Sequence, residues 1–216
     1  MIHASHLTNP GQAHVDSIRK VWRHALETRY YALEACTDKE IQEFITTEGD
    51  YCDPIFFGAS DAAFADDLET RRSSQGYIFQ LFGMTVDWKS TLQRTVTKST
   101  TEAELLALSL TGSEMEEWIR LFDGLSLILN TTPTILCDNQ QTVGIVTKEQ
   151  DKLATKLKHV DIHQSWLRQE VEQGRLSIQW RSTNRMPADG LTKMLSRQKH
   201  IEFVKQLHLT DIHTRL

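Results

Sequence analysis

A chain of 216 residues can bury one sizeable core with an appendage, and its 39% hydrophobic and 25% charged residues are ordinary for a globular protein. No apolar run approaches the ~18 residues of a membrane span, and residues 1–20 lack the apolar core of a signal peptide. The net charge of −5 argues against a surface that coats nucleic acid wholesale, and the three cysteines (Cys36, Cys52, Cys137) are too scattered for a disulfide framework or a zinc site. A reducing interior compartment is therefore the expectation.

In chain order, Asn9-Pro10-Gly11 breaks the chain ahead of a helical pattern that places Val15, Ile18, Trp22 and Ala25 on one face. Thr37 with Glu40 reads as a capping box opening a short helix to about Ile45, and the domain boundary is expected between Glu48 and Pro54. "PIFFGAS" is a short apolar strand ending at Asp61. "SQGYIFQLFG" and "MTVDWKS" read as a hairpin with Gly83 in its turn. A long helix follows from about Thr100 to Leu129, with a weak point at Gly112. "TPTILC" is a strand ending at Asp138, followed by a short helix from about Gln140 to Val146. Residues Val160 to Glu172 read as a helix with Ile162, Trp166, Leu167 and Val171 inward, stopped by Gly174. "RLSIQWRS" alternates as a strand. Pro187 suits the first turn of a helix carrying Asp189, and Ser196 caps a final helix with Ile201, Val204 and Leu207 inward. This order describes a mixed sheet with helices packed on it.

The long helix begins with an anomaly. Glu104, Leu108, Thr111, Met115, Trp118 and Phe122 form its apolar stripe, whereas Glu102, Leu106, Ser109, Ser113, Glu116 and Arg120 form a polar one. A carboxylate therefore leads the face to be buried, and buried carboxylates need a cation or other partner. Glu102 is expected on the solvated side. Asp61, Glu104, Asp138 and Asp189 all fall at the ends of elements, where sites form in open α/β sheets. Four converging carboxylates repel unless cations hold them, and an all-oxygen set suits Mg²⁺ or Mn²⁺. Two such ions ~4 Å apart suit phosphodiester chemistry. Basic residues cluster at Arg71 and Arg72, at Lys89, Arg94 and Lys98, and at Lys148, Lys152, Lys156 and Lys158.

The segments "SDAAFADDLETRRSSQGYIFQLFGMTVDWKS", "STTEAELLALS", "LCDNQ", "KHVDI" and "PADGLTK", in this order from about Asp53 to Leu209, resemble the ribonuclease H domain of Ty1/copia-type retrotransposon Pol polyproteins. "NPGQAHVDSIRKVWRHAL" resembles the segment closing the polymerase part of the reverse transcriptase. The resemblance implies a ribonuclease H-like α/β fold: a five-stranded mixed sheet, three strands antiparallel and then two parallel, with helices on both faces. It also implies a helical N-terminal extension over residues 1–50 and a nuclease domain over 53–209.

The family's metal-binding catalytic acids correspond to Asp61, Glu104, Asp138 and Asp189, with two Mg²⁺ ions as cofactor and Mn²⁺ as the alternative. "TEAE" offers two glutamates, but the family's glutamate directly precedes a Leu-x-Ala run, here Leu105-Leu106-Ala107. The resemblance implies hydrolysis of the RNA strand of an RNA–DNA hybrid. Asp61 and Asp138 would lie near the nucleophile, and Glu104 and Asp189 would complete the coordination. Arg71, Arg72, Lys89, Lys152, Lys156 and Lys158 are candidate phosphate contacts. The expected partners are the hybrid and the polymerase portion of the same polyprotein, in a cytoplasmic virus-like particle or the nucleus.

Two departures stand out. Ala63 occupies a position where the family often carries a second aspartate. The loop "RSTNRMPAD" lacks the mobile histidine of cellular ribonucleases H, and His159 precedes a different helix, where it reads as a capping or packing residue. Two rivals share these features: a co-opted module without turnover that binds nucleic acid or a protein, and another enzyme of the same fold such as an integrase or junction resolvase.

Overall fold

The structure, a computed structural model, describes residues 9–35, 55–129, 131–148 and 158–215. Helix α1 (Gln12–Glu27) leads into a short strand β1 (Tyr31–Leu33). Strands β2 (Phe56–Ala63), β3 (Ser74–Leu81) and β4 (Met84–Leu92) precede helix α2 (Thr100–Gly124), β5 (Thr134–Cys137), α3 (Gln140–Val146) and α4 (Lys158–Glu172). The chain continues through β6 (Ser177–Trp180), the one-turn α5 (Asp189–Thr192), α6 (Arg197–Gln206) and β7 (Leu209–Asp211). The expected helix over Thr37–Ile45, the boundary at Glu48–Pro54, and Cys36 and Cys52 lie outside the described residues.

Among the described residues the main sheet runs β4-β3-β2-β5-β6, with β2, β3 and β4 antiparallel and β5 and β6 parallel to β2. This is the expected ribonuclease H-like arrangement. All eight residues of β2 are buried because it is central and covered on both faces, which is why it reads as a continuous apolar run. One face carries Phe56, Tyr77, Phe79, Ile135, Cys137 and Ile178 against Leu105, Leu108 and Met115 of α2 and Val160 and Leu167 of α4. The other packs Phe57, Ala59 and Leu136 against Met186 and Ala188.

The β3–β4 hairpin closes through Phe82 and Gly83, both at positive φ (52° and 75°), the pair of left-handed residues that a two-residue type I′ turn requires. Helix α2 ends at Gly124 rather than near Leu129. Ser126 adopts φ 56°, its N–H reaches Asp123 O (3.0 Å), and the Leu127 N–H reaches Phe122 O (2.8 Å), a Schellman closure built on a serine.

Several expectations change. β2 runs two residues past Asp61, because its antiparallel ladder continues through Ala62↔Gln75 and Ala63↔Ser74. Ile162 faces solvent. The inward stripe of α4 is set by Val160, Gln164 and Leu167, and Ile162 lies well off that phase. Val15 and Ile18 of α1 are partly covered, but Trp22 and Ala25 are exposed. Ile201 is exposed, while Val204 and Leu207 are partly covered. Two three-residue strands too short to leave a pattern, β1 and β7, pair antiparallel.

Gly112 does not weaken α2, which runs through it. A Cβ there would lie 3.0 Å from the ring of Trp166 on α4, so the bare backbone sets how closely the two helices approach. Gly112→Val should therefore cost ~2 kcal/mol by overpacking this contact. Urea unfolding would show it as a lower midpoint with unchanged slope, and a wild-type midpoint would mean that the α2–α4 seam yields freely.

Candidate active site

Strand register brings the first two acids together. The parallel ladder between β2 and β5 ends at Ser60↔Cys137, so Asp61 and Asp138 are the next residues on adjacent strands. β2 then continues alongside β3 while the chain leaves β5 at Asp138, opening a notch at the sheet's edge of pairing. Glu104 enters it from the first turns of α2. Ala62, Ala103 and Ala107 form a cluster of small side chains that lets the start of the helix lie close on the strand.

Carboxylate oxygens of Asp61, Glu104 and Asp138 all lie within 4.8 Å of one another. Asp61 is fully buried and Glu104 is only 6% exposed. Glu104 Oε2 is buried with no hydrogen-bond partner. Burial first, and then the neighbouring Asp61 and Asp138, push Glu104 up to about 9. Burial likewise raises Asp61, against the opposing pull of Lys193 and of the Thr192 hydroxyl. Burial and the nearby Glu104 raise the Cys137 thiol, which keeps this free cysteine protonated beside the acids.

Asp189 begins α5, and the preceding Met186 and Ala188 anchor that turn against the sheet. Its carboxylate stands outside the three-acid convergence and is joined to it through a cation. Lys193 Nζ lies 2.5 Å from Asp189 Oδ1 and 3.1 Å from Asp61 Oδ1. The Thr192 hydroxyl donates to Asp61 Oδ2. Asp138 is held from the other side, where Thr183 Oγ1 donates to Oδ2 (2.9 Å) and the Trp180 indole donates to the Asp138 backbone carbonyl (2.9 Å).

Glu102 is buried rather than solvated. Ser99 Oγ accepts from the Glu102 N–H (3.2 Å), while the Glu102 carboxylate turns back to accept from the Lys98 N–H (2.7 Å). This capping-box-like exchange folds the side chain over the helix start, so helical phase alone misjudged its exposure. Arg71 and Arg72 lie in the β2–β3 loop, with Arg71 exposed and Arg72 Nε donating to Thr70 Oγ1 (3.0 Å). Lys89, on β4, pairs with Glu114 (3.2 Å). Lys152, Lys156 and the side chains of Lys158 and His159 lie outside what is described. Thr183, Thr192 and Lys193 were missed as site residues, although "GLTK" lay inside a quoted motif and Lys193 stands four residues after Asp189, one helical turn away.

No family model matches the chain. It is 33% identical over 201 residues to the Retrovirus-related Pol polyprotein from transposon TNT 1-94 of Nicotiana tabacum, covering 93% of this chain and 14% of that protein. It is 33% identical over 153 residues to the Retrovirus-related Pol polyprotein from transposon RE1 of Arabidopsis thaliana, covering 71% of this chain and 10% of that protein. Among solved structures, ribonuclease H1 from the halophilic archaeon Halobacterium salinarum superposes with a TM-score of 0.45 at 15% identity, over 63% of this chain and 92% of that one.

The strand order and directions define a module of ribonuclease H-like fold. Its sequence homologues include retrovirus-related Pol polyproteins of plant transposons, of which the chain spans about a seventh or less.

The raised Glu104 carboxyl makes stability depend on pH. The folded chain holds this proton from the ordinary value of 4.5 up to about 9, whereas the unfolded chain releases it, so stability falls as pH climbs through that window. In chelator, the melting temperature should drop by roughly 5 °C or more between about pH 6 and about pH 9. Glu104→Gln should remove most of that slope, and so should saturating Mg²⁺, which takes the proton's place. A slope of equal size in wild type and Glu104→Gln would show that Glu104 does not carry this proton.

Proposed function

We propose that the protein is the ribonuclease H segment of a copia-type retrotransposon polyprotein, cutting the RNA strand of RNA–DNA hybrids. One observation carries the reading: three carboxylates converge within 4.8 Å, and one of them, Glu104, keeps a buried oxygen with no partner. A folded protein tolerates such a cluster where a cation neutralises it. The donors are all carboxylate oxygens, which fits Mg²⁺ or Mn²⁺ and not the sulfur- and nitrogen-rich shell that zinc favours. Homology to Pol polyproteins over 93% of the chain supports the same reading and extends it to residues 1–50, proposed as the tail of the polymerase part.

Bound divalent ions would supply an activated water and charge neutralisation at the scissile phosphate for in-line hydrolysis, leaving a 5′-phosphate and a 3′-hydroxyl. The chain's own contribution is orientation. Asp61 and Asp138 project side by side from adjacent strands, Thr192 fixes one oxygen of Asp61, and Thr183 fixes one oxygen of Asp138. Glu104 closes the cluster from the helix above, and the tight α2–β2 packing shields that side from solvent. Arg71, Arg72 and Lys89 are candidate contacts to the hybrid's phosphates, and Lys152, Lys156 and Lys158 are further candidates from the sequence alone. Discrimination of RNA from DNA would rest on 2′-hydroxyl contacts across the minor groove.

The test is incubation with an end-labelled RNA–DNA hybrid in Mg²⁺ or in chelator, beside single-stranded RNA, duplex DNA and a four-way junction. Hybrid-specific, Mg²⁺-dependent cleavage is expected, whereas junction cutting or inert binding would favour one of the two rivals. Asp138→Asn and Glu104→Gln should each lower the rate by roughly 100-fold or more, since each removes a charge from the ion-holding cluster. Glu102→Gln should keep most activity and lose ~1 kcal/mol of stability, because its carboxylate serves the helix start. A dead Glu102→Gln beside an active Glu104→Gln would reverse the assignment.

A further inference from the structure

The two halves of the acid site are not equivalent. On the Glu104 side, Glu104 Oε2 is a buried carboxylate oxygen with no hydrogen-bond partner, so a cation entering there meets an oxygen that no ammonium or hydroxyl already holds. On the Asp189 side both oxygens of Asp61 are engaged, Oδ1 by the Lys193 ammonium and Oδ2 by the Thr192 hydroxyl. The same ammonium also holds Asp189 Oδ1. A divalent ion bridging Asp61 and Asp189 would need those same oxygens.

Lys193 can make way. It immediately follows the four-residue α5 as its C-cap, four residues after Asp189, and its side chain is 40% exposed on a flexible four-carbon stem. Swinging outward would return the ammonium to water. In place, the one ammonium holds an oxygen of Asp61 (3.1 Å) and an oxygen of Asp189 (2.5 Å) at once. The ammonium is therefore a competitor for cations, not a neutral spectator.

We propose that Lys193 is a positioning residue that acts as an internal counter-ion and makes the two halves of the site fill in order. The Asp61–Glu104–Asp138 half takes the first divalent ion, and the Asp61–Asp189 half takes a second only as the Lys193 ammonium withdraws. A phosphate of a nucleic-acid backbone arriving beside the acids is the group that would draw the ammonium out, by the charge-assisted hydrogen bonds it offers. The inference rests on the metal-binding reading of the acid cluster.

Mn²⁺ binding to the full chain without nucleic acid, followed by titration calorimetry and by the electron-paramagnetic signal of free Mn²⁺, tests it. Wild type should bind one ion, with any second at least about tenfold weaker. Lys193→Met and Lys193→Gln should tighten the second ion by about tenfold or more, and Lys193→Arg should keep the wild-type pattern. In chelator the Met variant should melt lower than wild type, and Mn²⁺ should restore more of its loss. Two ions of like affinity in wild type overturn the proposal without any variant, and so does an unchanged second affinity in whichever neutral variant folds. Absence of any ion on wild type removes the metal reading itself, a different result from one ion bound identically in every variant.

Discussion

Everything around the site answers to one electrostatic constraint: carboxylates placed within 4.8 Å of one another in a buried notch. Like charges at that spacing, away from water, destabilise the folded state unless protons or cations are supplied. Glu104 shows the strain most plainly, held protonated to about 9 by burial and by its two acidic neighbours. Asp61 has a partial remedy in Lys193 and Thr192, and Asp138 has hydrogen bonds from Thr183 and, at its backbone, from Trp180. Glu104 is the acid of the three left with a buried oxygen that no hydrogen bond reaches.

Such a cluster persists only on a stiff frame, and the sheet's uneven ends provide it. β2 is eight residues long while β5 is four, so one strand passes the point where the other turns away. That difference sets two aspartates side by side with their backbones still pinned by neighbouring pairs at Ser60↔Cys137 and Ala62↔Gln75. The alanines of β2 and α2 then bring the helix start close enough for Glu104 to reach them. Larger side chains at Ala62, Ala103 or Ala107 would push the helix away and open the cluster before any acid was changed.

How much of this was legible follows from periodicity. Strands with a buried face, the long helix and the inward phase of Glu104 could be read because burial imposes a period that the residues must match, whereas Asp61, Asp138 and Asp189 were read from their places at element ends and in motifs resembling the ribonuclease H family. What escaped was set by contacts that leave no period. β1 and β7 are three residues each, the closure of α2 rests on a left-handed Ser126, and Glu102 turns inward through local hydrogen bonds. Ile162 misled because an apolar residue is evidence for a face only when its neighbours agree on phase, and Val160, Gln164 and Leu167 did not agree with it. The Lys193 bridge depends on how α5 sits over β2, a tertiary fact that the motif's letters carry but do not explain.

The described N-terminal segment stands apart energetically from this frame. Every residue of the three buried core clusters lies at or after Phe56, and α1 contributes no buried residue. The segment is tied down by the β1–β7 ladder of Tyr31↔Asp211, Ala32↔Thr210 and Leu33↔Leu209 and by the edge-on contact of His24 with His200. A two-stranded ladder of three pairs with half-exposed side chains is marginal by itself, so this clasp should open at lower free energy than the sheet. Trp22 stands 67% exposed on α1, with Val21 and Leu26 also uncovered on the same helix. Since the acids are positioned by β2, β5, α2 and α5, none of which borrows its packing from α1, loosening the clasp would leave the geometry of the cluster in place.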